Sequence, residues 1–274
     1  MVGDPARGSR TPDGPRALAL VPARLGSQRL PRKMLLAETG RPLVVHTVAN
    51  AHAAGLFARV VVATDSPEIQ AAVADAGFEA VLTRPDHESG TARAEEAARA
   101  VGGAFDVVVN VQGDEPELDR GDLARLVAAF ADPAVEAATL CGPLAEAERA
   151  LPQVVKVVRD AAGDALYFSR APVPYRAEPG AAAYAREDAP PWSDCARRHV
   201  GVYAFRPAAL ADFVALPRGR LEALENLEQL RWLEAGRRMR VVEAAHLPLG
   251  IDTRADYDAF VQRARRPSAS RPRP

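Results

Sequence analysis

Residues 17–33 read ALALVPARLGSQRLPRK, and this stretch decides the fold. Its first part, 17–22, is an apolar run without a helical period, which is typical of a buried β-strand. A loop with a glycine, a serine and several cations follows at once. Ligands of parallel α/β sheets collect beyond the carboxyl ends of the strands, so this loop indicates a site for an anion.

Outward from this strand, short β-branched runs alternate with alanine-rich helical patterns. The patterns predict strands at 17–22, 60–64, 80–82 and 107–111, and helices at 44–54, 67–76 and 91–101. Such a βαβ rhythm predicts an α/β fold with a mostly parallel sheet and helices on both faces.

The pattern changes after about residue 137. Strands are predicted at 137–140, 155–159, 165–168 and 199–205 with little helix between them, followed by helices at 207–216 and 221–234, a strand at 240–245 and a helix at 254–265. The close succession of strands indicates a smaller mixed-sheet extension over about 137–206, within a single domain spanning 17–265. Residues 176–194 are long for a loop in a compact domain, so we interpret them as a flap or insertion.

Composition excludes several classes of function. The 274 residues are 48% hydrophobic and carry a formal net charge of −1, which argues against general nucleic-acid binding. No apolar run is long enough to cross a bilayer, and residues 1–16 lack the apolar part of a signal peptide. Cys141 and Cys195 lie far apart without CxxC spacing. We therefore expect a cytoplasmic protein without membrane partners, with disordered tails at 1–16 and 266–274.

The loop after the first strand has the chemistry of a triphosphate site. Small Gly26 and Ser27 allow backbone N–H groups to approach phosphate oxygens, and Arg24 and Arg29 can make bidentate contacts while Lys33 adds a point charge. The loop matches neither GxxxxGK[ST] nor GxGxxG. The alternative interpretation is a solvated basic turn.

Two aspartates are candidates for a metal site. The strand at 107–111 leads into QGDEP, which places Asp114 and Glu115 after a glycine at a second strand end. Mg²⁺ that bridges triphosphate oxygens needs one or two protein carboxylates, and Asp252 in LGIDT is the candidate partner of Asp114. Capping is the alternative for Asp114, and taken alone it explains Asp252 better than metal binding does.

The segment 83–93, TRPDHESGTAR, also follows a strand and precedes a helix. Its hydroxyl groups and the helix N–H groups suit an anion, and Arg93 is placed to clamp a sugar carboxylate. Simple N-capping by Ser89 or Thr91 is the competing interpretation. His87 lacks a metal-ligand partner nearby, so we interpret it as a hydrogen-bonding residue rather than a catalytic base.

The order of these motifs carries a family resemblance. They are VPARLGSQRLPRKML, VVVATDS, TRPDHESGTAR, VVNVQGDEPEL, KVVRD, ALYFSRAPVPY, RRHVGVYAFR, LENLEQLRWLEAG and GIDTRADYD. Over roughly 17–265 the chain closely resembles the 3-deoxy-manno-octulosonate (Kdo) cytidylyltransferases, which implies a Rossmann-like nucleotide-diphospho-sugar transferase fold. It departs from the family where Arg32 replaces the usual glycine, where Met34 replaces the following proline, and in 176–194.

The resemblance implies that the anomeric hydroxyl of Kdo attacks the α-phosphorus of CTP, giving CMP-Kdo and pyrophosphate with Mg²⁺, for lipopolysaccharide biosynthesis. It implies a homodimer and four sets of residues. The catalytic set is Arg24, Arg29, Lys33 and Asp114; the CTP set is Ala23, Arg24, Gly26, Ser27, Arg29, Lys33, Arg84 and Ser89; the sugar-acid set is Arg93, Gln112, His199, Glu228 and Gln229; the metal set is Asp114 and Asp252.

Three alternatives stay open. A cytidylyltransferase for a modified Kdo or for another ulosonic acid, such as an N-acylneuraminate, would share this chemistry, although QGDEP, HVGVY and LEQLR favour Kdo. A non-catalytic sugar-nucleotide-binding protein would be expected to lose a metal carboxylate or a loop cation, yet Arg29, Lys33, Asp114 and Asp252 are all present. A glycosyltransferase would usually carry DxD, where this chain has Asp-Glu-Pro.

Overall fold

A computed structural model describes residues 14–27, 29–175 and 190–265. Most of the predicted tails and of the predicted flap therefore lie outside the described residues. Arg16, which we predicted as the last residue of the first tail, is held in place: its backbone N–H donates to Asp106 Oδ2 at 2.7 Å, and its guanidinium donates to the carbonyl of Ala104 at 2.6 Å. The folded domain thus includes Arg16.

The described residues form nine strands and nine α-helices. The strands are β1 (Ala17–Ala23), β2 (Phe57–Thr64), β3 (Glu79–Leu82), β4 (Val107–Asn110), β5 (Ala137–Gly142), β6 (Lys156–Arg159), β7 (Ala165–Ser169), β8 (Ala196–Phe205) and β9 (Arg240–Glu243). The helices are α1 (Leu43–Ala53), α2 (Pro67–Asp75), α3 (Gly90–Val101), α4 (Arg120–Ala128), α5 (Trp192–Cys195), α6 (Pro207–Ala215), α7 (Arg220–Glu225), α8 (Gln229–Glu234) and α9 (Arg254–Arg265). Among them, no helix combines the length and apolarity that a bilayer span requires.

The strands belong to one sheet with the order β3-β2-β1-β4-β8-β5-β9. Strands β1 to β4 are parallel where they pair, and β9 is parallel to β5, whereas β8 runs antiparallel to both its neighbours. Strand β6 pairs antiparallel with β7 and with the first half of β8. The predicted parallel-dominated sheet with a mixed extension is confirmed.

Both faces of the sheet are buried, which explains why β1 reads as a continuous apolar run. Ala19 and Val21 face a layer that includes apolar residues of α1, α2 and α4. Leu18 and Leu20 point to the opposite layer, where α3, α6 and α8 contribute. The helices on both faces follow from this alternation, because each strand residue needs an apolar neighbour on its own side.

Strand β8 joins the extension to the main sheet. Its pairing with β5 shifts between Thr139↔Tyr203 and Leu140↔Val200, which is a β-bulge in β8. The Thr139 hydroxyl fills the bulge, lying 2.9 Å from His199 Nε2. The bulge thereby brings the rings of His199 and Tyr203 to a centroid distance of 5.5 Å.

Two helical elements differ from the prediction. The single helix predicted at 221–234 is two helices, α7 and α8, because Asn226 between them adopts a left-handed backbone with φ of 52°. Asparagine tolerates this conformation better than most residues. The sequence analysis missed α4, whose start is capped by Asp119, which accepts a hydrogen bond from Asp122 N at 3.0 Å.

Short helix α5 lies at the far side of the undescribed segment 176–189. The indole N–H of Trp192 in α5 donates to the carbonyl of Pro174 at 2.7 Å. The described chain therefore leaves and re-enters the domain at neighbouring points.

Candidate active site

A cavity of about 770 Å³ opens beyond the carboxyl ends of β1 and β4, beside the start of α3. Its size lies within the range usual for small-molecule sites. The predicted site residues that line it are Ala23, Arg24, Gly26, Ser27, Arg29, Lys33, Ser89, Arg93, Gln112, Asp114 and Asp252. The cavity lining does not include four other predicted residues, namely Arg84, His199, Glu228 and Gln229.

Lys33 lies at the centre of the charged part of this cavity. Its Nζ donates to Asp114 Oδ2 at 2.7 Å and to the carbonyl of Ile251 at 2.7 Å, and it lies 3.4 Å from Asp252 Oδ1. Arg29 Nη2 contacts the same Asp252 oxygen at 2.9 Å. The two carboxylates that we predicted as metal ligands thus meet around one cationic group, which is the arrangement that a divalent cation also requires.

The approach of Asp114 to Asp252 is fixed by the backbone. Ile251 N donates to the carbonyl of Asp114 at 3.0 Å, which ties the C-terminal segment to the loop after β4. Gly113 in that loop leaves no room for a side chain, since a Cβ there would lie 2.7 Å from the carbonyl oxygen of Pro22. The loop therefore packs directly against the end of β1.

The structure separates Asp252 from the cap of helix α9. Asp256 Oδ2 accepts hydrogen bonds from Thr253 N at 2.8 Å and from Thr253 Oγ1 at 2.7 Å, and Thr253 Oγ1 in turn accepts from Asp256 N at 3.2 Å. Thr253 and Asp256 thus form the capping pair. The carboxylate of Asp252 instead faces Arg29 and Lys33, so capping does not account for it.

Arg32 is one of the positions at which the chain departs from the family pattern, and its backbone conformation shows why glycine is usual there. It precedes the 3₁₀ turn Lys33–Leu35 and has a left-handed backbone with φ of 55°. Glycine adopts this conformation without steric cost, whereas other residues pay for it. Arg32 adopts this conformation despite its side chain and pairs with Glu68 on α2.

Arg93 enters the cavity wall from α3. Its Nη1 donates to Thr83 Oγ1 at 2.6 Å and lies 3.4 Å from Asp65 Oδ1. Burial lowers the pKa of Arg93 from its usual value, Asp65 opposes this shift, and Arg24 nearby adds to it. Ser89 caps the same helix by accepting from Ala92 N at 3.1 Å while also lining the cavity.

Several buried polar side chains form a cluster that we call the polar cluster: Thr91, Asn110, Tyr203, Glu228 and Gln229. Asn110 Nδ2 donates to Thr91 Oγ1 at 3.2 Å, the Thr91 hydroxyl donates to Glu228 Oε1, and the Tyr203 hydroxyl donates to Gln229 Oε1 at 3.1 Å. Asn110 Oδ1, Glu228 Oε2 and Gln229 Nε2 are buried without a partner in the described part of the chain. Unpartnered buried polar atoms are unfavourable, so these three atoms are candidates for contacts with a polar ligand.

The protonation states around this cluster follow from burial. Burial lowers the pKa of His199 to about 3, so its ring is neutral near pH 7. Burial also raises the pKa of Glu228, against the opposing effect of its hydrogen bond from Thr91. For Glu115, burial and the nearby charges of Asp114 and Asp252 raise the pKa to about 8. Burial therefore favours the uncharged form of each of these three side chains.

Sequence reasoning missed several of these residues. Asn110 and Tyr203 each belong to a strand and have buried side chains, and the one available signal was a polar residue at the end of the apolar run VVVN. Glu96 on α3 was missed as well. It accepts a hydrogen bond from Arg84 Nε at 3.2 Å and contacts His87 Nε2. Glu96 thus holds both Arg84, which is outside the cavity lining, and His87, which belongs to it.

A second acidic group, made of Asp119, Asp122 and His246, lies apart from the cavity lining. Asp122 accepts from Ala245 N at 2.7 Å and from His246 N at 3.1 Å, and it pairs with Arg125. These contacts give the Asp122 carboxylate a structural role, because they anchor the segment after β9 to α4.

Comparison with known proteins identifies the family. A sequence model described as cytidylyltransferase matches residues 18–239. A 3-deoxy-manno-octulosonate cytidylyltransferase of Anaeromyxobacter sp. strain Fw109-5 is 48% identical over 258 residues, covering 94% of this chain and 99% of that protein. The protein of the same name from Xanthobacter autotrophicus is 47% identical over 89% of this chain and 91% of its own.

Solved structures agree with this result. A CMP:2-keto-3-deoxy-manno-octonic acid synthetase complexed with CTP superposes with a TM-score of 0.81 and 39% identity, covering 90% of this chain and 97% of that one. The 4-diphosphocytidyl-2C-methyl-D-erythritol synthase of Anaerococcus prevotii has a TM-score of 0.59 at 12% identity, over 91% of this chain and 100% of its own, and therefore shares the fold alone. The chain belongs to the cytidylyltransferase family and, within it, to the 3-deoxy-manno-octulosonate cytidylyltransferases.

Proposed function

We propose that this enzyme transfers the CMP group of CTP to the anomeric oxygen of Kdo and releases pyrophosphate, as a step of lipopolysaccharide synthesis. The observation that carries the proposal is the pair of carboxylates, Asp114 and Asp252, gathered around Lys33 in a cavity with a basic strand-end loop. A triphosphate needs cations and a metal-binding carboxylate pair together, and this cavity offers both. The names of the similar proteins support the same substrates.

The loop after β1 is proposed to bind the triphosphate. Arg24, Arg29 and Lys33 would neutralise its charge, while the backbone N–H groups of Gly26 and Ser27 would donate to phosphate oxygens. Ser89, the N-cap of α3, adds a hydroxyl to the lining of the same cavity. Arg84 and the backbone of Ala23 are proposed to lie near the cytosine, on the strength of the motif match alone.

Asp114 and Asp252 are proposed to hold Mg²⁺. Their fit to a cation is supported by the ammonium of Lys33, which already lies between an oxygen of each. Bound there, Mg²⁺ would offset charge on the α-phosphate and on the attacking oxygen. The chain's own part is to align the two substrates, with Lys33 and Arg29 stabilising the negative charge that builds up on the leaving pyrophosphate.

Kdo is proposed to bind at Arg93, next to the polar cluster. The guanidinium of Arg93 suits its carboxylate, and Gln112 lines the same cavity. The unpartnered oxygens of Asn110 and Glu228 are proposed as acceptors for sugar hydroxyls, and Gln229 Nε2 as a donor, although these buried atoms lie behind the cavity lining. Neutral His199 is proposed as a hydrogen-bonding residue, because burial holds its pKa far below 7.

We further propose a cytoplasmic homodimer. The extension and helix α7 present exposed apolar side chains: Leu166 on β7, Tyr175 after it and Leu224 on α7 are 61%, 73% and 83% exposed. The Ser169 hydroxyl donates to Glu225 at 2.6 Å, which ties β7 to α7. Sedimentation should give the mass of two chains, and Leu224→Glu should shift it towards one if this face forms the interface.

Pyrophosphate release tests the proposed reaction. CTP, UTP, ATP and GTP should each be assayed with Kdo, an amino-substituted Kdo and N-acetylneuraminate in the presence of Mg²⁺. We expect turnover with CTP and Kdo. Turnover with a different acid but not with Kdo would mean that the enzyme catalyses the same reaction on that other acid. Nucleotide binding without turnover for every pair would indicate a non-catalytic nucleotide-binding protein.

A further inference from the structure

Asp65 is a charged residue that local structure does not explain. It follows the last residue of β2, and the next residue, Ser66, caps α2 by accepting from Ile69 N at 3.3 Å. Asp65 Oδ1 is buried and has no hydrogen-bond partner in the described part of the chain. A buried carboxylate oxygen without a donor is unfavourable unless a cation compensates for it.

That cation is Arg93. Asp65 Oδ1 lies 3.4 Å from Arg93 Nη1, and the side chain of Arg93 is only 4% exposed. Thr83, which follows β3, accepts from the same Nη1 at 2.6 Å. Asp65 after β2 and Thr83 after β3 thus both contact Nη1 of the Arg93 guanidinium.

This arrangement leaves the other edge of the guanidinium available. Arg93 Nη2 and Nε have no acceptor in the ranges that the structure describes, and Arg93 lines the cavity. The planar guanidinium pairs best with a carboxylate through two parallel N–H groups on one edge. Fixing Nη1 therefore sets the direction in which the Nε and Nη2 edge points.

We infer that Asp65 is a positioning residue that orients the guanidinium of Arg93 for the carboxylate of the sugar acid. The inference rests on the proposed function. Asp65 also supplies a negative charge that favours the charged form of Arg93, against the opposing effect of the nearby cation Arg24. Without Asp65, Arg93 would lose one of its two anchors and a favourable charge.

The test compares Asp65→Asn with Asp65→Ser, using the intact chain and whichever 2-keto-3-deoxy acid the wild-type protein turns over. We expect the KM for the acid to rise about tenfold, the equivalent of about 1.4 kcal/mol, while the KM for CTP and the calorimetric affinity for CTP stay within about twofold. The matched control is Glu79→Gln, which removes the partner of Arg59 at the amino ends of β2 and β3 and should leave both KM values unchanged.

A double-mutant cycle separates positioning from a general effect on the protein. In an Arg93→Ala background, Asp65→Asn should change kcat/KM for the acid by less than about twofold, because Asp65 acts through Arg93. An unchanged KM for the acid, an equal rise in the KM for CTP, or additive effects in the cycle would each overturn the inference. Loss of folded protein in both Asp65 variants would overturn it too, since the carboxylate would then serve the fold. Failure of the wild-type protein to use CTP with any of these acids would instead refute the proposed function.

Discussion

Asp252→Asn is expected to abolish most turnover while leaving the protein folded. Asn keeps the size of the side chain and a neutral oxygen but removes one of the two negative charges beside the proposed metal position. A unit charge about 4 Å from another contributes about 4 kcal/mol at an effective dielectric constant of about 20. Even a partly screened loss should therefore lower kcat/KM at least about 100-fold, the equivalent of about 2.7 kcal/mol of transition-state stabilisation.

The same change should have little effect on stability. The side chains of Arg29 and Asp252 are 66% and 48% exposed, so their ion pair contributes no more than about 1 kcal/mol to folding. For a domain of this size that corresponds to a fall in Tm of about 2–4 °C. Lys33, which lies 3.4 Å from Asp252, keeps its shorter contact with Asp114 at 2.7 Å. The Asp252→Asn protein should therefore stay folded while its kcat/KM falls.

Asp256→Asn is the matched control, because it makes the same chemical change four residues further on. Asp256, the third residue of α9, accepts from the backbone N–H of Thr253, and Asn keeps an oxygen that can accept this hydrogen bond. Its turnover should stay within about twofold of the wild type. Pyrophosphate release at saturating CTP, together with thermal unfolding, measures both variants. Near wild-type release by Asp252→Asn at ordinary Mg²⁺ would refute the placement of Asp252 beside the metal.

Three further predictions concern other parts of the chain. Burial lowers the pKa of His199 from 6.5 to about 3, so between these pH values the unfolded chain binds a proton that the folded chain does not. The free energy of unfolding should therefore fall as the pH drops from about 6.5 towards 3. Urea unfolding at several pH values should show a flatter slope for His199→Asn. A water-soluble thiol reagent should label exposed Cys195 in the native protein but reach buried Cys141, whose pKa burial raises to about 11, only after unfolding; early labelling of both would contradict this. Arg32→Gly should keep or raise the Tm, whereas Arg32→Val should lower the free energy of unfolding by about 1–2 kcal/mol, because a β-branched residue strains a left-handed backbone. Equal Tm values for the two variants would argue against this strain.

Local patterns predicted the part of the fold that depends on nearest neighbours along the chain. The apolar run of β1 and its basic loop were visible because a strand buried on both faces needs no polar residue before it ends. The break between α7 and α8 was not visible, since the apolar period continues through 221–234 and only the backbone of Asn226 interrupts it.

The candidate site was predictable where one loop supplies several residues, and less so where distant segments meet. The pairing of Asp252 with Asp114 depends on the bond from Ile251 N to the carbonyl of Asp114, which no local pattern contains. Before the family resemblance was considered, the residues themselves favoured a helix cap at Asp252. Asp65 was passed over for a similar reason, because its partner Arg93 is on another element.

The contact between Trp192 and Pro174 has a consequence for how this protein tolerates changes in length. It brings together the two points between which residues 176–189 run, and it does so without help from that connection. As a general rule, the entropy cost of joining two fixed points by a flexible chain rises by only about 0.6 kcal/mol for each doubling of the chain length. Insertions and deletions should accumulate here during evolution at little thermodynamic cost, and a reporter peptide spliced into this position should leave the domain's folding intact.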